Sequence, residues 1–244
     1  MSLKIGVTER GDPSIDMSWV SKMDKVDAAI IITKNLSDAV IDAAMPFFDK
    51  LKFHVTCTGY GGTVVERNTP QPVKQLQQAL KLVNRGFPKN RIVIRVDPII
   101  PTEAGIERAK GVITMFAGMG FESFRVSIID MYPHVRDRFR EKKLPLPYGE
   151  NFAPSKAQVA AVDEMLGATK TLFPNIVIES CAETLANADA VGCVSAKDAD
   201  AFGITLGNSS GGYQRKGCLC CSAKTELLSS KQQCPYGCLY CYWR

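Results

Sequence analysis

Short β-branched runs alternate with longer stretches of helical periodicity along almost the whole of this chain. Candidate strands are Lys4 to Val7, Ala28 to Thr33, Phe53 to Thr58, Arg91 to Val96, Ser123 to Ile129 and Ile176 to Glu179, with a further short run at Gly203 to Leu206. Between them, Ser37 to Leu51, Gln71 to Gly86, Glu103 to Gly118 and Ser155 to Phe173 carry apolar residues at helical spacing; Val73, Leu76, Leu80 and Val83 make the clearest stripe. Parallel strands need a crossover between them, so the alternation predicts βαβ units and a mainly parallel sheet. The expected α/β fold is a (β/α) barrel, partial or complete, although pattern alone does not separate it from an open sheet. Ser155 is placed to cap the helix after Pro154, and Gly86 with Pro88 ends the helix before Arg91. Asp130 to Pro154, rich in proline and charge, reads as the longest loop.

A chain of 244 residues, 45% of them hydrophobic, can bury one large core, so a single domain over residues 1–244 is expected. Its longest apolar runs, such as Ala28 to Ile32, are far too short to cross a bilayer, and Met1 to Arg10 holds no apolar signal core. Nine cysteines, an odd number concentrated in residues 214–244, fit metal ligation in a reducing compartment better than a disulfide framework. A cytoplasmic protein without a membrane partner is expected. The net charge of +5 is mild and neither demands nor excludes nucleic acid. Arg136, Arg138, Arg140, Lys142 and Lys143 form the one basic gathering, which reads first as a solvated helix face. There is no Walker sequence, which leaves a nucleoside-triphosphatase reading without support.

Cys234, Cys238 and Cys241 stand at C-x3-C-x2-C spacing, with Tyr240 just before the third thiol. Three thiolates on so short a loop can hold three irons of a 4Fe-4S cube and leave the fourth iron without a protein ligand. A structural zinc knuckle and plain thiols are the alternatives, but zinc usually takes four ligands and no histidine is near. Upstream, Cys181, Cys193, Cys218 and Cys220 suffice for a second all-cysteine site, for an iron-sulfur cluster or zinc; Cys221 is left over and could replace Cys220.

Polar residues gather where the strands end, which is where ligands sit in parallel βα folds. Thr33-Lys34-Asn35, Thr58-Gly59-Tyr60-Gly61-Gly62, Arg95 and Asp97, Ser127 with Asp130 and Tyr132, and Glu179-Ser180-Cys181 make five such ends in succession. Gly59, Gly61 and Gly62 would let backbone amides approach a carboxylate or ribose, or simply form a tight turn. Arg95 and Asp97, two apart on one strand, either hold substrate or cofactor or pair with each other. Lys34, beside Asn35, contacts a carboxylate or phosphate, or is an exposed lysine at a helix entry. Tyr132 is a candidate hydrogen donor. Cys57 reads as packing, His54 as a strand residue without chemistry, and His134, in the long loop, as a minor candidate for substrate contact.

Several segments together resemble the family described as domain of unknown function 1848, which is similar to spore photoproduct lyase within the radical SAM superfamily. They are Ile31-Ile32-Thr33-Lys34-Asn35, Thr56-Cys57-Thr58-Gly59-Tyr60-Gly61, Arg95-Val96-Asp97-Pro98-Ile99, Ser127 to Pro133, Ser180-Cys181-Ala182-Glu183, and Gln214 to Cys220 followed by the C-x3-C-x2-C motif. The resemblance implies a barrel of the radical SAM type with its cluster motif displaced toward the C-terminus. It implies that Cys234, Cys238 and Cys241 hold a 4Fe-4S cluster whose open iron takes S-adenosylmethionine, that Tyr240 packs near adenine, and that Cys181, Cys193, Cys218 and Cys220 recur as a set. The implied reaction is reductive cleavage of S-adenosylmethionine to a 5′-deoxyadenosyl radical that abstracts hydrogen from substrate, fed by an electron donor. A pyrimidine base or its modified form in DNA is the expected substrate, in a lyase or isomerase reaction, with the Arg136 to Lys143 loop on phosphate. The alternatives are an amino-acid-like or peptide substrate, and a noncatalytic iron-sulfur or zinc protein. The acidic start Thr8-Glu9-Arg10-Gly11-Asp12 has no role assigned by the resemblance.

Overall fold

The computed structural model describes residues 4–181, 183–203, 224–229 and 234–242. Eight strands, β1 (Ile5–Val7), β2 (Ala28–Thr33), β3 (Leu51–Thr56), β4 (Ile92–Ile99), β5 (Ser123–Ile128), β6 (Val177–Cys181), β7 (Asp189–Val191) and β8 (Lys224–Glu226), form one sheet. Their order is β7-β6-β5-β4-β3-β2-β1-β8, and every neighbouring pair is parallel. The helices are α1 (Asp38–Ala44), α2 (Pro72–Asn84), α3 (Glu103–Ala117), α4 (Pro133–Glu141), α5 (Lys156–Leu172) and α6 (Ala196–Asp200). The predicted α/β alternation and parallel sheet are therefore present. Among the described residues the sheet is open, with β7 and β8 as its edges. No helix among them is long and apolar enough to cross a membrane.

Successive strand residues face opposite sides of a sheet, and here the two sides differ in kind. Leu51, Phe53 and Val55 of β3, Ile92, Ile94 and Val96 of β4, and Phe124, Val126 and Ile128 of β5 enter the main core. There they meet Ala79 and Leu82 of α2, Ile113 and Phe116 of α3, and Val162 and Leu166 of α5. The intervening residues include Lys52 and His54, Arg95 and Asp97, and Arg125 and Ser127. Parallel sheets covered on both faces usually read as continuous apolar runs, so these alternating charges need partners.

The segment that carries α6 supplies them. Buried Asp198 accepts from Lys52 Nζ at 2.7 Å, His54 Nε2 at 3.2 Å and Arg125 Nη1 at 2.9 Å. Arg125 also pairs with Glu179 and donates to the Cys193 carbonyl at 2.8 Å. A capping box fixes the presentation: the Ser195 side chain accepts from the Asp198 amide, and Asp198 accepts from the Ser195 amide at 2.8 Å. Beside this polar plug, Val194 and Ala199 pack on Ile5, Val7, Ala28 and Ile30 in a smaller apolar cluster.

His54 is held neutral, since burial pushes its pKa down from 6.5 to about 3. The unfolded chain binds a proton on this residue between those values and the folded chain does not, so stability is full above pH 6.5 and is lost as the pH falls through that window. Unfolding by urea is expected to show a loss of about 1 kcal/mol between about pH 7.5 and about pH 5.5, absent in His54→Gln. An equal pH dependence in both proteins would refute the assignment.

Some boundaries differ from the sequence pattern. Ser37 to Leu51 is not one helix: α1 ends at Ala44, a 3-10 helix Met45–Lys50 follows with Pro46 in its first turn, and β3 already begins at Leu51. Strand β4 runs on through Asp97 and Pro98 to Ile99. The supposed loop Asp130 to Pro154 contains α4, with proline at its first position. The 3-10 helix Met17–Lys25 and strands β7 and β8 are additions. Of the expected strand Gly203 to Leu206, only Gly203 is described, in a turn; the rest lies outside the described residues.

Candidate active-site cavity

A cavity of about 690 Å³ opens at the carboxyl ends of the strands. The loop after β1 contributes Thr8, Glu9 and Asp12; β2 contributes Thr33 and Lys34; β4 and β5 contribute Arg95, Asp97 and Ser127, with Asp130 and Tyr132 beyond. Cys181 and Cys193 line it from the β6 and β7 side, and Cys234, Cys238, Cys241 and Tyr240 from the cysteine loop. Residues spread over the sequence thus converge because each strand ends at the same rim.

The cysteine loop is tied to three strand-end loops and one helix. Tyr236 meets the Ser14 hydroxyl at 2.5 Å, Asn68 donates to the Pro235 carbonyl at 2.7 Å, and the Leu239 amide donates to the Val65 carbonyl at 3.0 Å. Lys34 Nζ donates to the Tyr240 hydroxyl at 2.5 Å, and Arg138 of α4 donates to the Cys241 carbonyl. Gly237 turns the loop at a φ of 61°, a left-handed conformation that favours glycine.

Lys34 is therefore not an exposed helix-entry residue. It also pairs with buried Glu66 at 3.1 Å, and Thr69 donates to the other Glu66 oxygen at 3.2 Å. Burial opposes the Lys34 charge, but Glu66 outweighs it and the ammonium is strengthened. Beside it, buried Asp12 accepts from the Lys34 amide at 2.7 Å and from the Thr33 hydroxyl at 2.8 Å. Burial nevertheless pushes the Asp12 carboxyl up.

Cys238 is buried, Cys241 partly buried and Cys234 exposed. Burial pushes the Cys238 thiol up to about 12, and Cys234 and Cys241 push it the same way while Lys34 opposes them. A Cys238 thiolate is thus costly by itself, and a bound cation reverses that cost. The donor set fits a thiolate-ligated metal group in this sense. Among the described residues no three Cys, His, Asp or Glu side chains are already gathered around a single metal position, so the thiols share the wall without converging.

Arg95 and Asp97 do pair with each other, and both still line the cavity. Ser127 donates to the other Asp97 oxygen. Burial would raise the Asp97 carboxyl, but Arg95 and Ser127 outweigh it and hold it below the usual range. Glu9 pairs with Lys224 of β8 at 2.5 Å, yet burial and nearby Cys193 push its carboxyl up. The Cys181 and Cys193 sulfurs lie 3.4 Å apart. Cys218, Cys220 and Cys221 lie outside the described residues.

Tyr132 lines the cavity and stacks on His134, with ring centroids 5.7 Å apart. Asn35 stands behind the lining, with its side chain on Tyr236. Gly59, Gly61 and Gly62 are also outside the lining: a Cβ on Gly61 would fall 1.8 Å from the Pro70 carbonyl oxygen, and Gly59, at φ 87°, packs on Arg108. Their close approach is to the chain itself, as the tight-turn alternative has it. Cys57 is buried outside the lining, with its thiol pushed up to about 12 by burial. Of the basic gathering, Arg136 and Arg140 pair with Glu150, and Arg138 faces the cavity. Thr8 to Asp12 and Glu66 were invisible as site residues in the sequence; the polar end of β1 was the available signal.

An α/β protein whose parallel strands end in one cavity walled by five cysteines is the class that fold and site define. A family model described as Domain of unknown function (DUF1848) matches residues 4–243, and the chain belongs to that family. No curated protein matches it. Among solved structures, lysine/ornithine decarboxylase complexed with cadaverine, from Vibrio vulnificus, aligns at a TM-score of 0.37 and 9% identity over 63% of this chain. The chain spans 39% of that structure's length.

Proposed function

We propose that this protein is a radical S-adenosylmethionine enzyme. The observation that carries the reading is the meeting of the three C-x3-C-x2-C thiols with polar ends from successive parallel strands in one cavity. Cys234, Cys238 and Cys241 would hold a 4Fe-4S cluster, with an electron donor as the protein's partner. When bound, the cluster and S-adenosylmethionine supply reductive cleavage and a 5′-deoxyadenosyl radical that takes hydrogen from an unactivated carbon.

The chain's own tasks are to position one C–H bond and to exclude water and stray hydrogen donors. Lys34 and Tyr240 fix the inner face of the cysteine loop, and Tyr240 would pack near adenine. Arg95, Asp97 and Ser127 form a rigid polar wall, and Tyr132 stands as the candidate hydrogen donor. The strand order is that of a (β/α) barrel opened between β7 and β8, which suits a partial barrel. Cys181 and Cys193 would supply half of a second cluster or zinc site, with Cys218 and Cys220 as the other half. The substrate favoured is a pyrimidine base or a modified form of it in DNA, with the reaction a lyase or isomerase step. Lys142 and Lys143, exposed after α4, are better placed for phosphate than the paired Arg136.

Anaerobic reconstitution with iron and sulfide, followed by electron paramagnetic resonance of the reduced protein, tests the reading. Adding S-adenosylmethionine is expected to shift the cluster signal. A signal indifferent to it would point instead to a structural metal centre with every position filled by thiolate.

A further inference from the structure

The cysteine loop rests against an ion pair whose two halves come from different strand-end loops. Lys34 follows β2 directly, and Glu66 lies between β3 and α2. The Lys34 ammonium stands 2.5 Å from the Tyr240 hydroxyl and 4.9 Å from the centre of the same ring. Next to Glu66, the Val65 carbonyl accepts from the Leu239 amide at 3.0 Å. Both halves are thus anchored to the stretch between Cys238 and Cys241, one by its own side chain and one by its neighbour's backbone. Lys34 lines the cavity along with Cys238 and Cys241, whereas Glu66 does not and its side chain is only 4% exposed. The pair is therefore oriented, with its cation at the cavity wall and its anion behind it.

A buried ion pair is a weak device for stability, since apolar residues of the same volume often serve as well. Its effect here falls on the thiols. Cys238 feels both charges: Lys34 favours its thiolate, Glu66 opposes it, and Lys34 has the larger effect. Glu66 in turn strengthens the Lys34 ammonium, so the cation persists through the neutral range. Reduction of a thiolate-ligated cluster would add one negative charge to this wall. A low-potential donor gives up one electron, the cluster gains it, and no bond forms or breaks. A fixed cation nearby lowers the energy of the reduced state and a fixed anion raises it, and in a buried setting water screens neither fully.

We propose that Lys34 and Glu66 set the reduction potential of the cluster held by Cys234, Cys238 and Cys241, with Lys34 raising it and Glu66 limiting the rise. Both act as positioning charges and neither is a ligand. This tuning deepens the function proposed above and rests on its cluster, adding which side chains make that cluster reducible.

The test is a redox titration of the anaerobically reconstituted full chain, followed by electron paramagnetic resonance without S-adenosylmethionine. Lys34→Met is expected to lower the reduced-to-oxidised ratio at a fixed potential at least about tenfold, a midpoint shift of about 59 mV for a one-electron couple. Glu66→Gln is expected to move the midpoint the opposite way. Lys34→Arg keeps the charge and should restore most of the loss. A loop merely loosened by mutation would not give shifts of opposite sign, so shifts of one sign, or none, would overturn the tuning. So would a Lys34→Arg midpoint as low as that of Lys34→Met. If Lys34→Met does not fold or take up iron, the sign of the Glu66→Gln shift decides. No reducible cluster in the unaltered protein would sink both the radical reading and the tuning. A cluster that responds to S-adenosylmethionine but not to these charges would sink the tuning alone. Opposite shifts in a cluster that ignores S-adenosylmethionine would sink the radical reading and leave the tuning standing.

Discussion

Cys238→Ala protein, loaded with iron and sulfide and then reduced, is expected to form no detectable 5′-deoxyadenosine from S-adenosylmethionine. Cys238 is the most enclosed thiol of its loop. On the proposed reading, its removal would take away the only protein ligand of one iron in a cluster that three thiols would already leave one ligand short. The loop itself should stay docked, because its anchors are the Leu239 amide on Val65, Tyr240 on Lys34 and Asn68 on Pro235, none of which uses the Cys238 side chain. Loss of activity with an unchanged unfolding midpoint would therefore be chemical. Cys57→Ala provides the comparison, since Cys57 is buried outside the cavity lining and should leave deoxyadenosine formation intact. Undiminished formation in Cys238→Ala would show that the motif does not hold the reactive group.

Asp198→Ala is expected to cost about 3–5 kcal/mol of folding stability, a large share of the roughly 5–15 kcal/mol that holds a domain together. Burial alone would push the Asp198 carboxyl up; the His54 hydrogen bond, Arg125 and Lys52 outweigh it and hold the group well below the usual range. Truncation would leave Lys52 without its 2.7 Å partner and take one of its two carboxylate partners from Arg125, both inside the sheet's polar face. It would also undo the capping box that presents α6. Asp198→Asn keeps hydrogen-bonding atoms at the same position and should cost less. Urea unfolding measures both, and a loss under about 1 kcal/mol for the alanine variant would mean that water, not α6, satisfies these cations.

The sequence carried the sheet well because its strands are short β-branched runs set between helical stretches, and because their ends are polar. Ala28 to Thr33 coincides with β2, and the polar ends at Lys34, Arg95, Asp97, Ser127 and Tyr132 do meet at one rim. What stayed hidden depends on distant partners. Asp189 to Val191 and Lys224 to Glu226 are strands of three residues that exist by pairing with β6 and β1, and no local periodicity announces them. His54 looked inert because its partner, Asp198, lies 144 residues away. Glu66, in a turn-rich stretch, gained its place through Lys34. The glycines after Thr58 were legible as glycines needing room, but the room is taken by Pro70, Gln71 and Arg108.

The pairing of β1 with β8 also fixes the order in which the molecule can be put together. Ile5, Gly6 and Val7 register with Ala28, Ala29 and Ile30 on one side, a partner available early in the chain, and with Lys224, Thr225 and Glu226 on the other. The second ladder closes a loop of more than 200 residues, an entropy cost that local helices do not bear and that slows folding. Until it forms, three apolar or small residues near the start of the chain present an unpaired parallel edge to any other strand in reach. Glu9 with Lys224 and the Glu9 and Arg10 amides with Glu226 are the contacts that seal it, so the charges beside the cavity also guard the nascent protein against pairing with its neighbours.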